Sequence, residues 1–96
     1  MNTRLTTDLR IDGGRLIRRI EELATVGPIE GGGSCRLALT DEDRAGRDLV
    51  VAWMNELGLS VSVDAIGNVI GVRRGRSNGP PIMTGSHIDT VRTGGR

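Results

Sequence analysis

The one histidine of the chain, His87, stands two residues before Asp89 in the segment Gly85-Ser86-His87-Ile88-Asp89-Thr90-Val91. In extended chain, residues two apart point to the same side. A carboxylate placed there can accept the hydrogen bond of one ring nitrogen, fix the tautomer and leave the other nitrogen free for a metal ion. The segment follows a short apolar run, Pro81-Ile82-Met83-Thr84. Taken as a strand, that run puts His87 at its C-terminal mouth, the edge where open α/β sheets gather ligand sites. An arbitrary His-x-Asp is more often a surface histidine in a turn beside an incidental Asp. Here the strand before it, the flanking Gly-Ser and Thr-Val and the Gly94-Gly95 after it favour a site.

Other residues offer weaker chemistry. Cys35 could serve as a nucleophile with His87 as its base. Nothing positions the two together, and small buried cysteines are common. Gly31-Gly32-Gly33-Ser34 could cradle a phosphate, but no strand precedes it and the chain has no Lys, so a flexible connector is the better reading. Arg73, Arg74 and Arg76 form a small basic cluster with no Tyr or Phe to stack on bases, which suits a solvated hairpin end. Ser86 beside His87 makes no triad, because adjacent residues in extended chain face opposite ways.

Composition narrows the classes further. All 13 basic residues are Arg, so a P-loop lysine, a Schiff base and a Ser-Lys pair are excluded within this chain. The net charge of +1 gives no bulk attraction for nucleic acid or anionic lipid. A single Cys cannot form an intrachain disulfide, and Asp8 and Asp12 interrupt any signal-like apolar stretch. No run approaches the roughly 20 apolar residues that span a bilayer. The expectation is a cytoplasmic protein with no nucleic-acid and no membrane partner. Its 96 residues make one domain at most, with an aliphatic core in which Trp53 is the sole aromatic.

The positioning elements follow from periodicity. Residues 1–10 are polar and read as frayed or extended. Asp12 caps a helix from Gly13-Gly14, in which Leu16, Ile17, Ile20, Leu23 and Ala24 recur at helical spacing until Gly27-Pro28 ends it. After the Gly-rich connector, Thr40 is the N-cap of a second helix. Asp41, Glu42 and Asp43 fill its first turn, where carboxylates suit the helix dipole. Leu49, Val50, Trp53, Met54 and Leu57 form its stripe, and Gly58 sits at its left-handed C-terminal cap. The period then becomes two: Val61 and Val63 alternate with Ser60, Ser62 and Asp64, Gly67-Asn68 turns the chain, and Val69, Ile70 and Val72 return it. Residues 81–84 read as a third strand. The order predicts an α/β fold: two helices, then a β-hairpin and a third strand, packed as part of a mixed sheet. A three-stranded sheet with a free edge and no closing helix leads us to expect an incomplete chain.

At these residues the sequence resembles the hydantoinase/carbamoylase branch of the M20 metallopeptidases, which includes N-carbamoyl-amino-acid hydrolases, β-ureidopropionase and allantoate amidohydrolase. The resemblance runs from about residue 12 to 96 through ordered motifs. They are Thr40-Asp41-Glu42-Asp43, Arg47-Asp48-Leu49, Trp53-Met54, Glu56-Leu57-Gly58-Leu59, Asp64-Ala65-Ile66-Gly67-Asn68-Val69, and Gly85 to Val91 with Gly94-Gly95.

The resemblance implies a metallo-exopeptidase-like catalytic domain, of which residues 1–96 would be the N-terminal portion. His87 would be a metal ligand, and Asp89 the catalytic-site carboxylate that orients it. The Asp64 to Asn68 stretch would be a structural turn. It further implies two divalent cations, zinc or manganese, a homodimer, and a dimerisation domain lying outside this segment. A bridging Asp, a Glu-Glu pair and two further His ligands would also lie outside it. One histidine cannot hold a zinc that wants about four ligands, so residues 1–96 alone should be inactive. The implied activity is hydrolysis of linear amide C–N bonds in small ureido substrates such as N-carbamoyl-L-amino acids or allantoate. A dipeptidase or aminoacylase of the same superfamily is the alternative within enzymes. A non-catalytic truncated remnant or interaction module is the alternative of another class.

Overall fold

The computed structural model describes residues 8–95; the expectation for the first residues of the chain lies largely outside them. Helix α1 covers Gly13–Ala24, and the carboxylate of Asp12 accepts the Arg15 amide at its N-terminus at 3.0 Å. Helix α2 covers Asp41–Glu56. The Thr40 hydroxyl accepts the Asp43 amide at 3.2 Å, and the Asp43 carboxylate accepts the Leu39 amide at 3.0 Å. That pair satisfies the opening turn and holds Leu39 at a φ of 68°.

The end of α2 is closed by a Schellman motif. The Gly58 amide donates to the Asn55 carbonyl and the Leu59 amide to the Met54 carbonyl, both at 3.0 Å. Gly58 has φ 76°, which a side chain would strain. The chain then runs straight into strand β1, Ser60–Val63, which pairs antiparallel with strand β2, Val69–Val72, in the register Val61 to Gly71 and Val63 to Val69. The half-buried face of the hairpin lies on α2. Gly71 makes a close approach there, where a Cβ would stand 3.0 Å from both Leu59 Cδ1 and Met54 Sδ and those side-chain ends would have to shift.

The helices and the hairpin form where the sequence places them, and the fold is mixed α/β. Two expectations are corrected. Residues 81–84 run extended but pair with no strand among the described residues. Pro80 and Pro81 have no amide to donate, and Ile82 and Met83 are 101% and 88% exposed, so no neighbour here offers them a ladder or a face. His87 therefore lies on an extended strap, not at the mouth of a paired strand.

The expected aliphatic core is likewise absent among the described residues. No apolar side chain is fully buried, and Leu16, Ile17 and Ile20 of the α1 stripe are half exposed. Trp53 is half-buried, with the Arg19 guanidinium 5.5 Å above its ring, which joins α1 to α2. The radius of gyration, 16.1 Å, exceeds the roughly 13 Å of a closed domain near 100 residues. The elements are arrayed with open faces, and the buried side chains are polar: Ser34, Arg36 and Asp43, with Gly46 buried beside them.

Candidate functional site

His87 and Asp89 meet as the two-residue spacing requires. Nδ1 of His87 is 3.1 Å from Asp89 Oδ1 and 3.0 Å from the Asp89 carbonyl oxygen. Both neighbours are acceptors when Asp89 is ionised, so in the neutral ring the favoured tautomer carries its proton on Nδ1 and keeps the lone pair on Nε2. The His87 side chain is 78% exposed and that of Asp89 45%. They line an open depression of about 420 Å³, together with Ile20, Leu23, Ala24, Ser34 and Arg36.

The strap that carries the pair is fastened at two points. Thr90 donates its amide to the Arg36 carbonyl at 2.8 Å and accepts the Arg36 amide on Oγ1 at 2.7 Å. Farther on, Ser34 and Gly94 exchange backbone hydrogen bonds at 2.8 and 3.0 Å. The three consecutive glycines make this second point possible. Gly33 has φ 93°, and a Cβ there would collide with the Gly94 carbonyl oxygen. The Gly-rich stretch is thus a compact loop pinned by a bridge between Pro28 and Ser34, rather than a flexible link.

Neither periodicity nor motif spacing singles out Arg36. It is 5% exposed and donates from Nε to the Ile88 carbonyl at 2.9 Å, and from one terminal nitrogen to the Leu23 and Val26 carbonyls at 3.2 and 2.7 Å. An arginine inside Cys35-Arg36-Leu37-Ala38-Leu39, a short stretch otherwise without charge, is the signal that could have found it.

The weaker candidates stay apart. Cys35 faces a different depression, with Gly27, Pro28, Leu37, Thr40 and Glu42, and is not brought to His87. Ser86 lines the same depression as His87 but makes no hydrogen bond with it. Arg73, Arg74 and Arg76 are exposed beyond β2.

A metal ion placed against Nε2 would find one ligand with its orienting carboxylate. Among the described residues no three His, Cys, Asp or Glu side chains gather into a metal cluster. The residues present therefore fit one ligand position and not a whole centre. No helix among them is long and apolar enough to cross a membrane.

No family model matches the chain. Over 83 residues, 85% of its length, the chain is 47% identical to an N-carbamoyl-L-amino-acid amidohydrolase of a Pseudomonas species and covers 20% of that protein. It is 42% identical over 78 residues to the allantoate amidohydrolase of Bacillus subtilis, covering 80% of this chain and 19% of that protein. Its backbone superposes with a TM-score of 0.87 on the crystal structure of a hydantoinase/carbamoylase family amidase from Burkholderia ambifaria. That match is 48% identical and covers 91% of this chain and 22% of that one. The chain spans about a fifth of the length of the curated relatives it matches.

Proposed function

From the premise that this chain is homologous to the hydantoinase/carbamoylase family amidases, we propose that the whole protein hydrolyses a linear amide C–N bond in a small ureido compound. N-carbamoyl-L-amino acids and allantoate are the substrate types that the relatives' names support. The observation that carries this proposal is the 3.1 Å contact of His87 Nδ1 with Asp89 at the rim of the strap.

In it, His87 is a metal ligand through Nε2 and Asp89 is its positioning residue. The Asp89 carboxylate accepts the Nδ1 proton, holds the ring in the tautomer that presents Nε2, and raises the basicity of that nitrogen. The open depression leaves the ring accessible from the side of Ile20 and Ala24. A divalent cation bound there would supply a water of lowered pKa and polarise the scissile carbonyl. The remaining ligands and the general base come from outside residues 8–95. The two-cation centre of zinc or manganese, the homodimer and the cytoplasmic location implied by the resemblance belong to the same proposal.

The deciding assay gives the whole protein N-carbamoyl-L-amino acids, allantoate and dipeptides, each with zinc or manganese. Hydrolysis of the ureido substrates is expected. Cleavage of dipeptides alone would replace this proposal with a dipeptidase, and no hydrolysis of any of them would overturn it. Residues 1–96 by themselves should bind zinc only weakly, and tight stoichiometric binding would contradict the incomplete ligand set.

A further inference from the structure

We infer that Arg36 is the positioning residue that fixes the His87–Asp89 pair, by clamping the strap on both sides of Asp89 to the C-terminal end of α1. This rests on the reading of His87 as a metal ligand.

Three hydrogen bonds join Arg36 to the strap, and they bracket one residue. Nε donates to the carbonyl of Ile88, just before Asp89, while the Arg36 carbonyl accepts the Thr90 amide and the Arg36 amide donates to the Thr90 hydroxyl oxygen, just after it. Between Gly85 and Thr90 the one backbone–backbone hydrogen bond to another described segment is that of the Thr90 amide to Arg36, and Ser34 adds only a longer contact, its carbonyl accepting Thr90 Oγ1 at 3.4 Å. The place of Asp89, and so of the oxygen that His87 Nδ1 donates to, is set by Arg36.

The other side of the guanidinium explains why the anchor is rigid. The last carbonyls of a helix carry partial negative charge. Helix α1 has no basic residue in its last turn. Arg36 provides that missing cation from a distant position, donating to the carbonyls of Leu23 and Val26. A buried cation is costly unless its donors are satisfied, and here the strap takes Nε and carbonyls at the α1 end take one terminal nitrogen. Only a planar fork reaches both segments at once; a lysine ammonium offers a single point charge. Gly46 of α2 leaves the space through which the side chain passes, since a Cβ there would be 2.8 Å from Arg36 Cδ.

The experiment uses Arg36→Met and Arg36→Lys in the whole protein, with the His87 ring assigned by its loss in His87→Gln. Nitrogen-15 spectra of the metal-free protein should show His87 protonated at Nδ1 in the wild type and a mixture of tautomers in both variants. Zinc affinity, read by competition with a chelator, should fall about 10–100-fold, as when an outer partner of a ligand is lost. At saturating zinc, KM should stay within about twofold of the wild type. Lower melting with an unchanged tautomer and unchanged zinc affinity would overturn the inference. If the Arg36 variants do not fold, Thr90→Val removes one of the three strap bonds; it should move the tautomer in the same direction, and no movement would count against the clamp. The tautomer measurement needs no turnover, so a wild type inactive on ureido substrates sinks the proposed function without touching this result.

Discussion

Gly46 on α2 stands against the buried side chain of Arg36 so closely that a Cβ would lie 2.8 Å from Arg36 Cδ and 3.3 Å from Ile88 Cδ1. Two effects compete in Gly46→Ala. Alanine gains about 1 kcal/mol of helix propensity over glycine. Overpacking against groups that cannot move costs about 1–3 kcal/mol. Arg36 is held by carbonyls on both sides, so the clash wins. Thermal melting of the whole protein should show Gly46→Ala less stable than wild type. In an Arg36→Met background the same change should be neutral or stabilising; an equal penalty in both backgrounds would place its cause elsewhere.

Asp89→Asn keeps the size of the side chain and removes its charge. It should lower metal affinity about 10–100-fold, while His87→Ala should remove the ligand outright. Metal content after dialysis of the whole protein distinguishes them: partial and restorable by added metal for Asp89→Asn, not restorable for His87→Ala. Normal content and turnover in both would show that the pair is not a metal site.

The hairpin turn is tied by Asp64. Its carboxylate accepts the Asn68 side-chain amide at 2.8 Å, the Asn68 backbone amide at 2.8 Å and the Ile66 amide at 3.1 Å. The Asn68 side chain contributes most to holding the acid below its ordinary value of 3.8, followed by the Asn68 amide. A depressed folded pKa means that the turn is favoured by the ionised form. That support is complete above the ordinary value and is lost as pH falls below it through the folded value. Carbon-13 titration should place the Asp64 midpoint below 3.8, with exchange of the Asn68 amide rising over the same range. A midpoint at or above the ordinary value would contradict the ties.

Thr40→Ala removes the acceptor of the Asp43 amide at the head of α2. The expected cost is about 1 kcal/mol, as for other N-caps. Denaturant unfolding of the whole protein measures it, and Thr40→Ser should restore most of the loss.

Much of this chain is legible in its sequence. The caps at Asp12 and Thr40, the stop at Gly58 and the hairpin across Gly67-Asn68 all depend on neighbours within a few residues, so local residue types determine them. The meeting of His87 with Asp89 is of the same kind, because alternate residues of an extended chain share a side whatever surrounds them. Pairing of residues 81–84 was not decided locally: a strand needs a partner, and none of the described residues offers one. Arg36 is the clearest case of what only the tertiary structure decided. Its bonds run to Leu23, Val26, Ile88 and Thr90, up to 54 residues away, and no local pattern encodes where an arginine finds carbonyls on separate segments. The amino-acid order determined which imidazole and which carboxylate meet; the packed chain decided what holds them there.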